Sequence, residues 1–216
     1  HARVLEMAFD TFARQWGTQL TAKVRVLSQV TSEQVQVLSY DEYAAALPDN
    51  TGMVLFNIST TSAKAVIQFP MAAALSWVGH MLGGTGFQTA PERKFTHIEQ
   101  ALLGKIMDDA VEDLHYSLGH LLSAPLTLSS VQYNSQFAQA AASGDPMIVA
   151  TFEMVVGEPT APATVAIPAA ALLPQLDPLG ALHRLQAPQE QMERALAGLI
   201  ADRLAAEDAN GVSLPL

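Results

Sequence analysis

An apolar strand and the helix that follows it occur twice in this chain, and the spacing of the copies constrains the fold more than any other feature. Ala65-Val66-Ile67-Gln68-Phe69-Pro70-Met71-Ala72-Ala73-Ala74-Leu75 is echoed by Ala163-Thr164-Val165-Ala166-Ile167-Pro168-Ala169-Ala170-Ala171-Leu172-Leu173. Pro70 and Pro168 stand 98 residues apart. The same step carries Leu5 of the first helical stretch onto Leu103, and Leu20 onto Leu118. A period this long is not that of a many-unit solenoid. It predicts an α/β fold of two helix-strand-strand-strand-helix halves, about 3–82 and 97–176, related by a pseudo-two-fold axis. A mixed, mostly antiparallel sheet with long helices packed on it satisfies that order.

Periodicity supplies the elements. Val4, Leu5, Ala8, Phe9, Phe12, Trp16 and Leu20 recur at helical spacing within 3–22, opposite Arg3, Glu6, Asp10 and Arg14. The stretch Met7, Phe9, Phe12 and Trp16 reads as core, or as a face shared with a neighbouring subunit. Val24 and Val26, then Val35 and Val37, alternate with polar residues and predict strands over 23–38. One or two helical turns follow at Tyr40 to Leu47, then a turn at Pro48 to Gly52. Strands are predicted over Met53–Ile58 and Ala63–Phe69, and Pro70 suits a helix start. In the second half Thr96 and Glu99 form a capping box ahead of the stripe Leu103, Met107, Ala110, Val111, Leu114, Leu118 and Leu121. Strands follow at Pro125–Tyr133, Met147–Val156 and Ala163–Ile167, with a flexible Ala/Ser/Gly stretch at Ala138–Gly144 between the first two. A short helix runs over Pro168–Leu176. Residues 1–176 thus read as one domain, 177–188 as a linker, and 189–216 as an amphipathic helix and tail that serves as connector or interface rather than core.

Composition excludes several functions. Eleven basic against 21 acidic residues, with no Lys/Arg run, do not make the cationic face that nucleic acid needs. No cysteine is present, so disulfides and thiolate metal sites are out, as suits a reducing compartment. No apolar run reaches the roughly 18–20 residues of a membrane span, and no signal-peptide pattern is found. The chain begins at His1 rather than Met, as an excised piece or a tagged chain would.

Two stretches invite chemistry. The first is Gly83-Gly84-Thr85-Gly86. Three glycines in four residues are costly, because each loses more backbone freedom on folding than any other residue. They follow a helix rather than a strand, and no Lys-Ser/Thr pair follows them, so neither phosphate-binding fingerprint fits. A helix C-cap at Gly83 explains one or two of the glycines but not three. The second half has Asp177-Pro178-Leu179-Gly180 instead, so the tetrad is an addition to the repeat, which favours a use. The second stretch is Asp108, Glu112 and His115, spaced i, i+4, i+7 on one helix face. Glu112 and His115 match one step of a carboxylate-bridged two-metal site, which needs a second such step that the chain lacks. A solvated acidic face is the plainer reading. No nucleophile-elbow pattern supports triad catalysis, and no catalytic, cofactor-binding or metal residue is assigned.

Taken in order, several pieces resemble the FliM family of flagellar motor switch proteins, in its middle domain. They are Phe12-Ala13-Arg14, Val35-Gln36-Val37, Ser39-Tyr40-Asp41-Glu42-Tyr43 and Leu47-Pro48, then Leu82-Gly83-Gly84-Thr85-Gly86 and Phe95-Thr96-His97-Ile98-Glu99-Gln100. Asp108 to Leu114, Asn134-Ser135-Gln136-Phe137-Ala138 and Val149-Ala150-Thr151-Phe152-Glu153 complete the match, over about four-fifths of the chain. The resemblance implies a pseudo-symmetric fold shared with the chemotaxis phosphatases CheC and CheX. It implies a non-enzymatic place in the rotor ring on the cytoplasmic face of the flagellar basal body, coupling the chemotaxis signal to rotation direction. Gly83, Gly84, Thr85 and Gly86 would contact the rotor protein FliG, and copies of the chain would stand side by side. FliN and phosphorylated CheY are further implied partners; no nucleic acid, cofactor or small-molecule substrate is. The family's CheY-capturing peptide and a complete FliN-like domain are not among these residues, as expected of a fragment or a reduced member. The relatives also imply the alternative of a CheC/CheX-like phosphatase of phosphorylated CheY. Their motif, Asp/Ser-x-x-x-Glu-x-x-Asn, falls on Asp108, Glu112 and His115, with His in place of Asn. Its counterpart from Asp10 has Arg14 in place of Glu.

Overall fold

A computed structural model describes residues 2–85, 93–122, 124–157, 160–176, 196–198 and 200–201. Helix α1 (Ala2–Val24) opens the chain. Leu5, Phe9, Phe12, Ala13, Trp16 and Leu20 line its inner face at 2% exposure or less. Met7, grouped with them by sequence, is 61% exposed, because residues two apart on a helix lie on opposite faces. The helix ends at Arg25, which takes φ 61° and donates its N–H to the Thr21 carbonyl at 3.0 Å. The valines expected to begin a strand therefore divide. Val24 is the last helical residue and fully buried, and β1 (Ser28–Ser39) starts four residues later. Its end runs directly into α2 (Tyr40–Ala46), where Ser39 and Glu42 close a capping box.

The first half continues with β2 (Asn50–Ile58), β3 (Thr61–Phe69) and α3 (Met71–Met81). The second half is α4 (His97–Leu118), a 3-10 turn at Gly119–Leu121, β4 (Leu126–Asn134), β5 (Pro146–Val156), β6 (Thr160–Pro168) and α5 (Ala169–Leu176). One six-stranded sheet results, ordered β1-β5-β6-β3-β2-β4. Every pairing is antiparallel, so the mixed sheet expected from sequence is wholly antiparallel. Exchanging the halves (β1 for β4, β2 for β5, β3 for β6) reverses this order onto itself. The register agrees. Val66, Ile67 and Gln68 pair with Ala166, Val165 and Thr164. Ile67 and Val165 differ by the repeat length, and the pairs on either side exchange under it. The pseudo-two-fold axis passes through the Ile67–Val165 pair.

The sheet has two unlike faces. Alternate side chains go to opposite sides, so Val54 and Phe56 join the main core under α1 and α4, while Met53 and Leu55 join a smaller one. Tyr40 and Tyr43 of α2 cover the smaller core together with Ala138 and Ala140. The segment Ala138–Gly144 stands where the repeat would put a second α2. Sequence predicts it flexible, yet it is tied down. Lys64 N–H donates to the Ala140 carbonyl at 2.7 Å, and Tyr40 and Asp41 N–H donate to Asp145 and Ser143 carbonyls at 2.9 and 3.0 Å. Ala140 N–H donates to the Tyr40 hydroxyl at 3.0 Å. Small residues here let the chain lie close on the sheet rather than leave it loose.

Both edge strands carry a bulge, in β1 between Ser32 and Gln34 and in β4 opposite Leu55 and Phe56. A bulge spoils an edge as a template for further pairing. In the tail, Leu196 and Ile200 are 8% and 1% exposed and belong to the main core. That is the reverse of the expectation that this helix is only a connector or interface. Tail residues other than 196–198, 200 and 201, and the 177–188 stretch, lie outside the described residues.

A candidate partner-binding loop and two related clefts

The glycine stretch begins as a helix end. Gly83 takes φ +87° with nothing within 4 Å of where a Cβ would stand. Its N–H donates to the His80 carbonyl, and the Gly84 N–H to the Gly79 carbonyl, both at 2.9 Å. This 5→2 and 6→1 pair is the Schellman motif, which calls for a left-handed residue at Gly83. The helix end therefore accounts for Gly83. Leu82, Gly83, Gly84 and Thr85 are all exposed, Leu82 by 66%. Gly86 lies outside the described residues. The exposed part thus presents the bare backbone of Gly83 and Gly84 between the Leu82 and Thr85 side chains.

The chain returns through Arg93, which holds Glu99 with two hydrogen bonds of 2.7 Å. Glu99 also accepts the Thr96 N–H at 2.7 Å, while Thr96 Oγ1 accepts the Glu99 N–H at 3.3 Å. The capping box predicted from sequence is present, with an arginine added. The Arg93 hydrogen bonds, with those from Thr96, hold the Glu99 carboxyl at a pKa of about 2.

Asp108, Glu112 and His115 are brought together. All three are exposed, and all line one cleft of about 260 Å³ between α4 and the start of β4, with Leu126 and Leu128 on its strand side. Among the described residues, no cluster of three or more His, Asp or Glu side chains is arranged to hold a metal ion. Behind this face the helix grows strained in charge. Asp109 meets Lys23 of α1 at 3.2 Å. Asp113 has a buried Oδ2 without a hydrogen-bond partner, and burial, then Asp109 and Glu112, push its pKa up.

The repeat supplies a second cleft that sequence reading missed. A groove of about 850 Å³ runs between α1 and the start of β1. Asp10, Arg14 and Gly17 line it at the positions that Asp108, Glu112 and His115 hold in the other half. Leu27, 83% exposed, stands at its rim where Pro125 stands in the other. The signal was available: the 98-residue step predicts two equivalent helix-to-edge-strand clefts.

Comparison with known proteins sharpens the assignment. The family model for the flagellar motor switch protein FliM matches residues 1–182. The chain belongs to the FliM family. FliM of Treponema pallidum is 23% identical over 211 residues, covering 98% of this chain and 61% of that protein. FliM of Salmonella typhimurium is 27% identical over 171 residues, covering 77% and 51%. The chain thus spans about half to three-fifths of the length of these curated relatives. Among solved structures, a FliG–FliM complex from H. pylori aligns with TM-score 0.72 at 20% identity, over 79% of this chain and 93% of that one. Thermotoga maritima FliY aligns with TM-score 0.65 at 16% identity, over 79% and 90%. At these identities the structures show that the fold is shared. The α/β pseudo-two-fold architecture read from the repeat is the architecture of FliM middle domains.

Proposed function

We propose that this chain is a non-enzymatic component of the flagellar rotor switch, whose glycine loop binds FliG. The observation that carries the reading is the loop itself. Gly84 and Thr85 are exposed beyond a helix end that needs only Gly83, and the loop occurs in one half of a repeat that is otherwise closely matched. The relative in H. pylori that shares the fold was solved as a FliG–FliM complex, which supports a FliG surface on this fold. Gly83 to Gly86 are the residues assigned to it. Neighbouring copies, FliN and phosphorylated CheY complete the proposed set of partners, at the cytoplasmic face of the basal body. No helix among the described residues is long and apolar enough to cross a membrane, so attachment through partners is consistent with this placement.

The test is Gly84→Trp. The residue is exposed, so the variant folds, with the circular dichroism of the parent. Capture of FliG should fall by more than about tenfold, since a bulky side chain blocks backbone approach at the centre of the contact. Undiminished capture removes the loop from the contact. Glu112→Ala should leave FliG capture unchanged, and the parent chain should not speed loss of phosphate from phosphorylated CheY. Acceleration that Glu112→Ala abolishes would instead favour the phosphatase reading.

A further inference from the structure

The strands fall into two blocks, β1-β5-β6 and β3-β2-β4, that meet where β6 lies beside β3. Each block holds one strand borrowed from the other half, β1 in the first and β4 in the second. α1 forms a groove with β1 and α4 a cleft with β4, so each helix goes with one block. Within the first block the strands pair over long stretches, from Ser28 to Ser39 along β5 and from Met147 to Val155 along β6. At the seam between the blocks, the paired residues of β3 are Val66, Ile67 and Gln68. Two connections pass from block to block, α2 after β1 and the 135–145 segment after β4. Both cover the smaller core, on the face away from α1 and α4.

A chain of hydrogen bonds crosses the seam on that face. The Tyr43 hydroxyl of α2 meets Thr164 Oγ1 of β6 at 2.9 Å, and Thr164 donates to Gln68 Oε1 of β3 at 2.9 Å. Thr164 spends its one proton on Gln68, so Tyr43 is the donor to Thr164. Gln68 Nε2 donates to Thr51 Oγ1 of β2 at 2.8 Å, and Thr51 donates to the Phe69 carbonyl at 3.1 Å. Tyr43, Thr51 and Gln68 are all 3% exposed or less. The 98-residue step carries these three onto Ala141, Val149 and Ala166, and Thr164 back onto Val66. None of the four has a polar counterpart, so packing at the seam does not require them. Buried polar groups are costly where a partner is missing, and this chain runs unbroken from Tyr43 to the Phe69 carbonyl.

We infer that the β3–β6 seam is a hinge between the two blocks, with α1 against α4 as its pivot and the chain from Tyr43 to Thr51 as its latch. The pivot side is closed by the two long helices, which meet through Lys23 with Asp109 at 3.2 Å and Gln15 with Ser117 at 2.9 Å. The other face is covered by the short α2 and the 138–145 segment. Few residues pair across the seam, so bending there breaks fewer backbone bonds than bending within the first block. Hydrogen bonds are directional, and hold one twist where apolar contacts would tolerate several. Opening the chain breaks its bonds together, which favours two discrete arrangements over a soft bend. The glycine loop continues from β3 and α3, on the second block. A change of seam twist re-aims that loop relative to the α1–β1 side. No partner enters this device, so it stands apart from the rotor reading.

The absence of cysteine makes the experiment clean. Spin labels are attached at Thr31→Cys on β1 and Thr127→Cys on β4, both exposed and on the two edge strands. Across a six-stranded sheet these edges lie on the order of 24 Å apart, a distance that pulsed electron-spin measurements read. Labelled chains are diluted into unlabelled parent, so that only distances within one molecule are recorded. A second pair, Thr127→Cys with Phe137→Cys, stays at the second block, and Phe137 is 76% exposed. Tyr43→Phe removes the first donor, and Gln68→Met cuts the chain in its middle at similar side-chain length. In each, the fraction of molecules outside the main β1–β4 distance should rise about fivefold, the effect of losing one such hydrogen bond. The Thr127–Phe137 distance should not change. Tyr43→Phe removes a single oxygen atom, so a folded variant is at hand even where Gln68→Met unfolds. The hinge is overturned if the folded variants keep the parent distribution, even with lower stability in urea. It is equally overturned if the Thr127–Phe137 distance broadens as much as the one across the seam.

Discussion

The two halves share a path and differ in what fills it. α1 and α4 are counterparts, yet Phe9, Phe12 and Trp16 on the first stand where Met107, Ala110 and Leu114 stand on the second, all of them buried. Phe12 and Trp16 stack at 5.2 Å, and Phe152 of β5 meets Phe9, Phe12 and Trp16 edge-on at 5.6–6.2 Å. The second helix has no such aromatic cluster among its buried residues. A repeat therefore preserves where apolar residues go, and leaves open which ones. The scaffold needs a stripe at helical spacing; the volume at each position is settled locally, by what stands across the core.

The largest effect should come from the aromatic side. Trp16→Ala deletes a fully buried ring and leaves a cavity that its aromatic neighbours cannot close, at a cost of about 3–5 kcal/mol. Leu114→Ala, the same operation on the matched helix, removes a smaller buried side chain and should cost about 2–5 kcal/mol, less than the loss of the Trp16 ring. Urea unfolding of both variants measures the difference. Equal losses would mean that the two helices are packed with equal precision despite their unlike residues.

A middle-sized effect separates the helix starts. The α4 start is held by Thr96, Glu99 and Arg93, whereas α1 begins without an acidic residue in its first turn. Glu99→Ala removes the capping box and should cost about 1 kcal/mol. For a chain of this size that is roughly 2–4 °C in Tm. The pH dependence has a definite sign. Glu99 is depressed to about 2 in the folded state from an ordinary 4.5, so its contribution is full above the unfolded value. It is lost as pH falls from about 4.5 through about 2. The gap between parent and Glu99→Ala should therefore shrink over that window, and a gap that persists at pH 2 would assign the loss to packing instead.

Much of this was legible because duplication leaves a long-range record that single-element propensities do not. The 98-residue step between Pro70 and Pro168 predicts the pseudo-two-fold axis, and the structure places that axis at Ile67 and Val165, a cross-strand pair one repeat apart. Thr96 and Glu99 were readable because a capping box is local. Reading failed where tertiary context decides. Val24 and Val26 alternate like a strand, but the helix ran on because Val24 could reach the core. Ala138–Gly144 has a linker's composition, and its order comes from hydrogen bonds to Tyr40, Asp41 and Lys64, far away in sequence. The loop glycines were visible as a cost, while the structure explains Gly83 alone. The charge contrast between Arg14 and Glu112 was present in the sequence throughout. The sheet order puts the two beside opposite edge strands, β1 and β4, on opposite flanks of the fold.

The smallest effect concerns a site where the halves no longer match. The step that aligns the helices places Asp113 opposite Gln15 in the repeat. Gln15 has a partner, since its Oε1 accepts the Ser117 hydroxyl at 2.9 Å. Asp113 keeps a buried Oδ2 with none, among Asp109 and Glu112, with Lys23 engaged by Asp109. Burial and these like charges raise its pKa, so the folded state prefers the protonated form. A raised carboxylate is a cost wherever it must be ionised. Stability should improve as pH falls through its folded pKa, and the penalty is full above it. Asp113→Asn keeps the shape and removes the charge, which should stabilise the chain at pH 7 by about 0.5–1 kcal/mol. The gain should vanish at pH 3, where the parent carboxyl is itself neutral. A loss of stability at pH 7 would mean that the Asp113 charge is compensated in the fold, and that divergence of the second half left the interior electrostatics balanced while it altered the flank.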